Sequence, residues 1–450
     1  MKANCYANDK GLELVFEDKT YSLEYPEKIW KAYPENLKKL FADNYAYLKA
    51  LHLPHMLKNG IKISIGNPVP LFEKPIYGCM LNNVSFCSDV DGDSTEANLK
   101  KFVNLEFDFK DFETTYPKYD NILKEKAVLN MSFGKDSLCS FGLARELGLD
   151  PEPVFTIDNS TVRENNYKKI IINNFSKEFK KVWTVTNNTG VLHDYRYWKM
   201  PRTEWGYGHL MTELCFNILP FAHYSKAKYV LFGNEKSCDD YYINKDGYKC
   251  YPVFDQSSKW VTELTKMTKV LTNNQMQVVS LIEPIHELSV IKVLHNRYPE
   301  IGKYQMSCFP DENDYGKQNY WCEHCSKCAR IFILLKANNI DPARVGFKTD
   351  MFSYDREHLF SCFGVEKKEG ASIGYDTTGA GKDEQIYAFF LAYKNGARGE
   401  LIDKFAKTYL NEAIEREDEL HKKFYGIHDS KTIPTKFLHK LRSIFAEELE

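Results

Sequence analysis

The central part of the sequence alternates short apolar segments with longer amphipathic ones. Five short segments have the length and the β-branched or aromatic content of buried strands, and they span residues 127–131, 153–158, 181–186, 229–234 and 278–283. Helical patterns of roughly 10 to 20 residues lie between them. Because parallel strands need crossover helices of this kind, the alternation predicts an α/β fold with an open parallel sheet.

Two regions of different character flank this central part. The first contains strand-like segments such as LELVFED, KTYSLEY, GIKISIG and, from residue 101 to 112, KFVNLEFDFKDF, with helical patterns near residues 28–51. The last hundred residues are mostly helical in pattern and include a charged amphipathic stretch. We therefore predict a β-rich N-terminal region (1–120), a central α/β domain (121–345) and a helical C-terminal region (346–450).

Composition limits the class of protein. The 450 residues carry 60 Lys and Arg against 62 Asp and Glu, and this net charge of −2 gives no general reason to expect nucleic-acid binding. No window approaches about 18 consecutive apolar residues, and the first residues lack the apolar core of a secretory signal. We predict a cytoplasmic protein that acts on a small molecule and binds neither nucleic acid nor membrane.

A small polar loop, SFGKDS at residues 132–137, follows the first central strand and precedes a helical pattern. In an open parallel sheet such a loop lies at the carboxyl end of a strand, where the free N–H groups of a helix N-terminus bind anions. Gly134 allows close approach of the backbone, and Lys135 adds positive charge. The hydroxyls of Ser132 and Ser137 can donate hydrogen bonds. We predict a phosphate-binding loop, with a plain helix start as the structural alternative.

Two further strand ends carry polar residues. Asp158 ends the second central strand, and Gly233 and Glu235 follow the fourth. The carboxyl ends of parallel strands meet at one edge of a sheet, so these residues are expected near the loop. Two pairs of acidic residues further along the chain have simpler explanations. A strand end and a helix N-terminal dipole explain Glu283 and Glu287, and a plain helix start explains Asp383 and Glu384.

Four of the twelve cysteines are clustered, and the other eight are scattered. The cluster consists of Cys308, Cys322, Cys325 and Cys328. A CxxCxxC pattern with one more cysteine upstream supplies four thiolates for tetrahedral Zn²⁺, and a set without a spare ligand indicates a closed structural site. We predict a zinc knuckle over residues 308–328, with an iron–sulfur cluster as the minor alternative.

The loop SFGKDS resembles the S-G-G-x-D-S loop of the PP-loop ATP pyrophosphatases. Phe133 replaces a glycine of that pattern, and its β-carbon can crowd a bound pyrophosphate or require a different backbone angle. The resemblance implies a PP-loop core that binds ATP with Mg²⁺. The residues expected at the nucleotide are Ser132, Gly134, Lys135, Asp136, Ser137, Asp158 and Gly233.

A PP-loop followed by a Cys…CxxCxxC pattern is also the layout of the 7-cyano-7-deazaguanine synthases. Over residues 125–395 the chain is more similar to the UDP-MurNAc-L-Ala-L-Glu epimerase family, in SFGKDS, LFGNEKS, IEPIHELSVIKVL, WCEHCSKCARIFILL and GAGKDEQIYAFFLAYKNG. That family uses ATP to adenylate the terminal L-glutamate of a peptidoglycan precursor. Release of pyrophosphate is followed by inversion at Cα, and hydrolysis gives the D-glutamate product and AMP.

The resemblance and the residue chemistry together suggest site residues for such a reaction. The catalytic candidates are Asp136, Ser137, Glu235 and His209, and the substrate-binding candidates are Arg196 and Arg202. Acid–base groups need tunable pKa values, and arginine binds carboxylate or diphosphate through two parallel hydrogen bonds. Two alternatives stay open: a deazaguanine-type nitrile or amide synthase, and a nucleotide-binding scaffold without catalysis.

Overall fold

The computed structural model describes residues 1–57, 62–308, 320–364 and 378–449 of the chain. Its strands are β1 (Lys2–Ala7), β2 (Gly11–Phe16), β3 (Lys19–Glu24), β4 (Lys62–Ile65), β5 (Glu106–Phe109), β6 (Lys124–Asn130), β7 (Glu152–Asp158), β8 (Trp183–Asn187), β9 (Ala227–Phe232), β10 (Tyr242–Ile243), β11 (Lys249–Cys250) and β12 (Gln277–Ser280).

The helices alternate with these strands in the central part and dominate the C-terminal part. They are α1 (Glu27–Ala32), α2 (Glu35–Ala50), α3 (Leu53–Met56), α4 (Glu73–Asp91), α5 (Thr95–Val103), α6 (Lys135–Glu146), α7 (Val162–Glu178), α8 (Leu210–Ser225), α9 (Ser258–Leu271), α10 (Glu287–Arg297), α11 (Pro299–Gly302), α12 (Ser326–Ala337), α13 (Gly379–Lys394), α14 (Glu400–Thr408), α15 (Leu410–Glu415), α16 (Glu417–Phe424) and α17 (Thr435–Leu449).

One sheet of ten strands organises the molecule, in the order β12-β9-β6-β7-β8-β3-β2-β1-β4-β5. The first five strands in this order are the five predicted from the central sequence, and they pair with one another in parallel. Val128 of β6 pairs with Val230 of β9 on one side and with Glu152 of β7 on the other. The predicted α/β fold with a parallel sheet is therefore confirmed.

The N-terminal strands continue this same sheet. Residues 23–24 of β3 pair antiparallel with residues 186–187 of β8, and β2 and β1 follow in antiparallel order. A strand at the edge of a sheet exposes unpaired N–H and C=O groups, and β3 supplies partners for those at the end of β8. The first 120 residues thus extend the central sheet, and their described part contains five helices in addition to five strands.

The prediction of one long strand over residues 101–112 was wrong. Helix α5 runs to Val103, and only Glu106–Phe109 form a strand. Ser94 caps α5 by accepting a hydrogen bond from the N–H of Ala97, and the side chain of Phe102 is fully buried on this helix. The cap lies outside the alternating segment, so the alternation alone did not reveal the helix.

Helices cover both faces of the central sheet. Ala127 and Leu129 of β6 belong to an apolar cluster formed with α6, α7, α10, α12 and α13, whereas Val128 belongs to a second cluster formed with α2, α4, α8 and α9. Successive strand residues point to opposite faces, which explains why β6 reads as a continuous apolar run. Within the described ranges, none of the helices combines the length and apolar character needed to cross a bilayer.

Candidate functional site

The polar loop at 132–137 lies at the carboxyl end of β6, between β9 and β7. Helix α6 begins at Lys135, and Gly134 is its N-cap residue. The N–H of Ser132 donates to Oγ of Ser137 over 3.2 Å, and the N–H of Gly134 donates to Oγ of Ser132 over 3.3 Å. The loop therefore folds around its own hydroxyls at the positive end of the α6 dipole, where an anion is favoured.

Phe133 adopts the backbone conformation that glycine usually provides. Its φ of 60° lies in the left-handed region, which costs roughly 1–2 kcal/mol for a residue with a β-carbon. The side chain is fully buried, and its ring centroid lies 5.4 Å from that of Phe175 and 6.3 Å from that of Phe155. Burial of a Phe side chain contributes about 1.5–3 kcal/mol, which offsets the backbone cost. The β-carbon of Phe133 thus points into the apolar core.

Gly233, at the end of β9, lies directly against the loop. A β-carbon built on Gly233 would lie 2.6 Å from Cβ of Asp136 and 3.0 Å from the backbone nitrogen of Ser137. Only a glycine permits this approach without a shift of the α6 N-terminus. The structure therefore brings together the two strand ends that the sequence singled out.

A cavity of about 440 Å³ opens beside the loop, a size typical of small-molecule sites. Its wall includes one loop residue, the ends of β7 and β8, the segment that precedes α8, and the cysteine-rich segment. The relevant side chains are Ser132, Asp158, Asn187, Arg196, Arg202, Cys308 and Lys327. Two predicted nucleotide residues and both predicted substrate arginines therefore share one cavity.

Arg196 is held in a defined position on this wall. Its Nε donates to the two carboxylate oxygens of Asp194 over 2.9 and 3.0 Å, and one terminal nitrogen donates to the carbonyl oxygen of Ser160 over 3.3 Å. The neighbouring Asp158 accepts a hydrogen bond of 2.8 Å from the N–H of Ser160. Such contacts orient the guanidinium and the carboxylate before a ligand arrives.

Behind the loop lies a group of six charged side chains, here called the charge cluster: Lys135, Asp136, Glu235, Glu287, Arg330 and Glu384. Asp136 and Glu287 are half-buried, and the other four are buried. The ammonium of Lys135 donates to the oxygens of Asp136 over 2.7 and 2.8 Å and lies 3.3 Å from Glu287. The sequence predicted that Lys135 adds charge at a phosphate. In the structure its ammonium instead contacts carboxylates.

Protons balance part of the charge in this cluster, since four carboxyl groups face two cations. Burial, reinforced by Glu287, raises the pKa of Glu235 to about 8. Burial also raises the pKa of Glu384 to about 7, although Arg330 opposes this shift. At neutral pH Glu235 is therefore mostly protonated and Glu384 about half protonated, and such groups can exchange protons in a reaction at that pH.

Sequence reasoning missed three members of the charge cluster. Arg330 donates to Glu287 over 2.7 Å and to Glu384 over 3.3 Å, and the backbone N–H of Leu288 donates to Glu384 over 3.0 Å. Glu287 does lie in the first turn of α10, as the helix-dipole explanation requires, but Glu384 lies one turn further into α13, so the helix dipole does not explain it. That explanation concealed the ion pairs of both residues. No local pattern connects residues so far apart in the chain.

His209, a predicted catalytic residue, lies in a different buried group. It is the N-cap residue of α8, is fully buried, and packs against His52 and His193 at ring-centroid distances of 4.8 and 5.3 Å. Burial and the neighbouring histidines lower the pKa of His209 well below its usual value. Of these three histidines, His193 lines the cavity and His209 lies behind it.

The four clustered cysteines meet as the spacing predicts. All four are buried, and four of their sulfur–sulfur distances are 3.5, 3.6, 3.7 and 4.0 Å. A tetrahedral zinc site with zinc–sulfur bonds of about 2.3 Å places its sulfurs about 3.8 Å apart. The set can therefore hold a metal ion such as zinc. Residues 309–319 of the predicted knuckle lie outside the described residues.

The cysteine segment is tied to the polar loop. The N–H of Met306 donates to the carbonyl oxygen of Phe133 over 2.8 Å. The buried ammonium of Lys168 donates to the carbonyl oxygens of Ser132 and Met306, the latter over 2.6 Å. A metal that orders Cys308 would therefore also help to fix the backbone of the loop.

No protein-family model matches this sequence, and no curated protein matches it. Function is therefore inferred from the geometry of the loop, the cavity and the buried clusters.

Proposed function

We propose that this chain is an ATP pyrophosphatase of the PP-loop type, which transfers AMP to a carboxylate and releases pyrophosphate. One observation carries the proposal: a polar loop with a left-handed second residue joins the central parallel strand to a helix N-terminus and borders a cavity of about 440 Å³. Loops in this position bind phosphate through backbone N–H groups and the helix dipole. The alternative of a plain helix start does not account for the adjacent cavity.

The residues around the cavity have separate roles in this proposal. The N–H groups and hydroxyls of Ser132 and Ser137 bind the pyrophosphate part of ATP, and Asp158 binds the nucleoside part. Arg196 and Arg202 hold an anionic group of the second substrate. Asp136 can hold Mg²⁺ only if the ammonium of Lys135 moves away from its oxygens, so Mg²⁺ is assigned to ATP and to no side chain.

The proposed carboxylate is the terminal L-glutamate of UDP-MurNAc-L-Ala-L-Glu, which the enzyme converts to D-glutamate for peptidoglycan synthesis. The similarity of the loop, the strand end at Gly233 and the cysteine segment to that epimerase family supports this choice. Adenylation neutralises the carboxylate, so removal of the Cα proton no longer places a carbanion beside an anion. Each reduction of the barrier by about 1.36 kcal/mol gives a tenfold gain in rate.

Inversion requires proton-transfer groups beside the substrate, on opposite faces of Cα. The predicted candidates Asp136, Glu235 and His209 are absent from the cavity wall formed by the described residues. The wall does include the carboxyl groups of Glu164 and Glu204. We therefore assign the exchange of the Cα proton to groups of this second set.

The direct test measures pyrophosphate release from ATP and Mg²⁺ in the presence of UDP-MurNAc-L-Ala-L-Glu, followed by chiral analysis of the glutamate. We expect release together with D-glutamate. Pyrophosphate release only with a deazaguanine carboxylic acid and ammonia would indicate the nitrile synthase, and no release with either substrate would indicate a nucleotide-binding scaffold.

A pair of serine variants tests the loop itself. Ser137→Ala removes a hydroxyl within the loop and should lower the rate of pyrophosphate release by about 10²–10³-fold, the usual cost of losing one donor to a developing charge. Ser140→Ala is the matched control, because Ser140 is buried in the same helix and its hydroxyl has no partner in the described structure. Equal rates in the two variants would contradict the loop assignment.

A further inference from the structure

Three buried histidines from separate segments meet beside the cavity. His52 lies between α2 and α3, His193 ends the turn after β8, and His209 precedes α8. Their exposed fractions are 0, 3 and 0%, and each offers a ring nitrogen such that the three atoms lie within 4.8 Å of one another. The N-terminal region thus contributes one of the three rings.

Four ring nitrogens of these three histidines have no hydrogen-bond partner within the part of the chain that the structure describes. These atoms are Nδ1 of His52, Nδ1 of His193 and both ring nitrogens of His209. Buried polar atoms are nearly always paired, and each unpaired one costs about 1–3 kcal/mol. Four such atoms at one place indicate a ligand that all three rings share.

In two of the rings, Nε2 lies within hydrogen-bond distance of an oxygen atom, as the second nitrogen of a metal-binding histidine usually does. Nε2 of His52 lies 3.1 Å from the carbonyl oxygen of Leu192, so it donates its proton there and leaves a lone pair on Nδ1. Nε2 of His193 lies 2.6 Å from a carboxylate oxygen of Glu213. A backbone carbonyl or a carboxylate behind the ring is the common means of orienting a metal-binding histidine.

We propose that His52, His193 and His209 bind a divalent transition-metal ion, at a site separate from the four cysteines. Three neutral imidazoles suit Zn²⁺, Fe²⁺, Ni²⁺ or Cu²⁺, and a three-histidine set leaves at least one coordination position open. With metal–nitrogen bonds of about 2.0–2.1 Å, the three nitrogens of a tetrahedral site lie roughly 3.3 Å from one another. Small rotations of the rings, which move each nitrogen by up to about an ångström, would bring them to that distance. This proposal does not depend on the proposed adenylation activity.

Metal binding at this site depends on the proton of His193 and on the net charge around the ion. The ammonium of Lys49 lies 2.8 Å from Glu213 and 2.6 Å from Nε2 of His193, so Glu213 must accept the Nε2 proton for Nδ1 to bind the ion. The charges of Lys49 and Glu213 cancel, so the ion retains its positive charge. An anionic oxygen, from hydroxide or a carboxylate, is therefore the class of ligand expected at the open position. His193 lines the cavity, which gives such a ligand a route of entry.

Metal content of the full-length protein tests the proposal. After expression and dialysis with excess Zn²⁺ and removal of free ion by gel filtration, we expect about two zinc ions per chain. A mercurial that blocks thiols should release only the cysteine-bound ion. His209→Gln should retain about one zinc ion per chain, and the mercurial should then release all of it.

His286→Gln is the matched control. His286 is also buried with both ring nitrogens unpaired in the described structure, but it does not belong to the three-histidine group, so this variant should retain two ions. His52→Gln replaces His209→Gln if the latter fails to fold. One zinc ion in the wild type, all of it released by the mercurial, would overturn the proposal, as would two ions in a folded His209→Gln or His52→Gln variant.

Discussion

The cysteine cluster and the charge cluster lie on the same face of the sheet, and α12 connects them. Cys328 and Arg330 are two residues apart on this helix, yet one faces three other thiols and the other faces two carboxylates. Three of the cysteines lie within seven residues, whereas the members of the charge cluster come from five separate segments. The cysteines are thus brought together mainly by their spacing in the sequence, and the members of the charge cluster only by the tertiary fold.

This difference determines how each cluster balances its charge. Four thiolates brought together by spacing need a cation, which a metal ion can supply with bonds of defined geometry. The charge cluster contains its own cations and compensates the remaining carboxylates with protons, as the raised pKa values of Glu235 and Glu384 indicate. The cysteine cluster should therefore respond to metal removal, and the charge cluster to pH and to loss of a single partner.

The largest expected effect is that of Cys325→Ser. Structural zinc sites contribute apparent binding free energies of about 10–16 kcal/mol, which exceeds the net stability of most domains. We expect this variant to lose the cysteine-bound metal and to unfold or precipitate, as measured by metal analysis and thermal unfolding.

The control for this prediction is Cys139→Ser, which places a hydroxyl in the core of α6 away from the cluster. Its cost should be about 1–3 kcal/mol with no loss of metal. A Cys325→Ser protein with the metal content and unfolding temperature of the wild type would show that the cluster is not a structural metal site.

The next effect in size is that of Arg330→Met. This change leaves Glu287 and Glu384 without their shared cation in a buried environment, and breaking such a pair costs about 3–5 kcal/mol. Arg416→Met is the control, because Arg416 also contacts several carboxylates but lies at the surface, where each pair is worth about 0–1 kcal/mol. Equal shifts of the urea unfolding midpoint in the two variants would show that the buried ion pairs of Arg330 contribute no more to stability than the surface pairs of Arg416.

The same contrast explains what the sequence could predict. The five central strands and the cysteine cluster follow from local periodicity and spacing, and the structure contains both. The attachment of β3 to β8 depends on pairing between distant segments, for which local sequence holds no signal. The charge cluster and the three histidines are hidden for the same reason.

The loop pattern alone does not show whether a side chain such as that of Phe133 can replace glycine. The resembling pattern has a glycine at this position, and the structure has φ of 60° there, a conformation that favours glycine. Whether a side chain fits at that position depends on Phe155 and Phe175, which come from β7 and α7. The apolar surroundings of the loop, and not the loop sequence itself, therefore allow the substitution of glycine by phenylalanine.

A smaller effect is expected from Gly233→Ala, which tests the contact between the β9 end and the loop. The new β-carbon would lie 2.6 Å from Cβ of Asp136, so the α6 N-terminus must shift at a cost of about 1–3 kcal/mol. Pyrophosphate release should fall as well. Gly78→Ala is the control, because Gly78 lies in α4 with open space around it and alanine should stabilise that helix by about 0.5–1 kcal/mol. Equal stability of both variants would show that the contact is loose.

The smallest expected effect, for a change of one pH unit, concerns the protons of the charge cluster. The pKa of Glu235 is raised from 4.5 to about 8, so between these values the folded chain holds a proton that the unfolded chain has lost. Stability should therefore fall as pH rises through this window, by about 1 kcal/mol per pH unit, and the contribution should be constant above and below it. Glu235→Gln should flatten the pH dependence of the urea midpoint up to about pH 8.

Glu384→Gln is the matched variant for this effect. The pKa of Glu384 is raised to about 7. The pH range over which Glu384→Gln flattens the pH dependence of the urea midpoint should therefore end about one pH unit below that of Glu235→Gln. If both variants keep the slope of the wild type, the cluster is not balanced by protons, and a bound cation must fill that role. The charge cluster would then resemble the cysteine cluster in depending on a metal ion, and the contrast between the two regions would disappear.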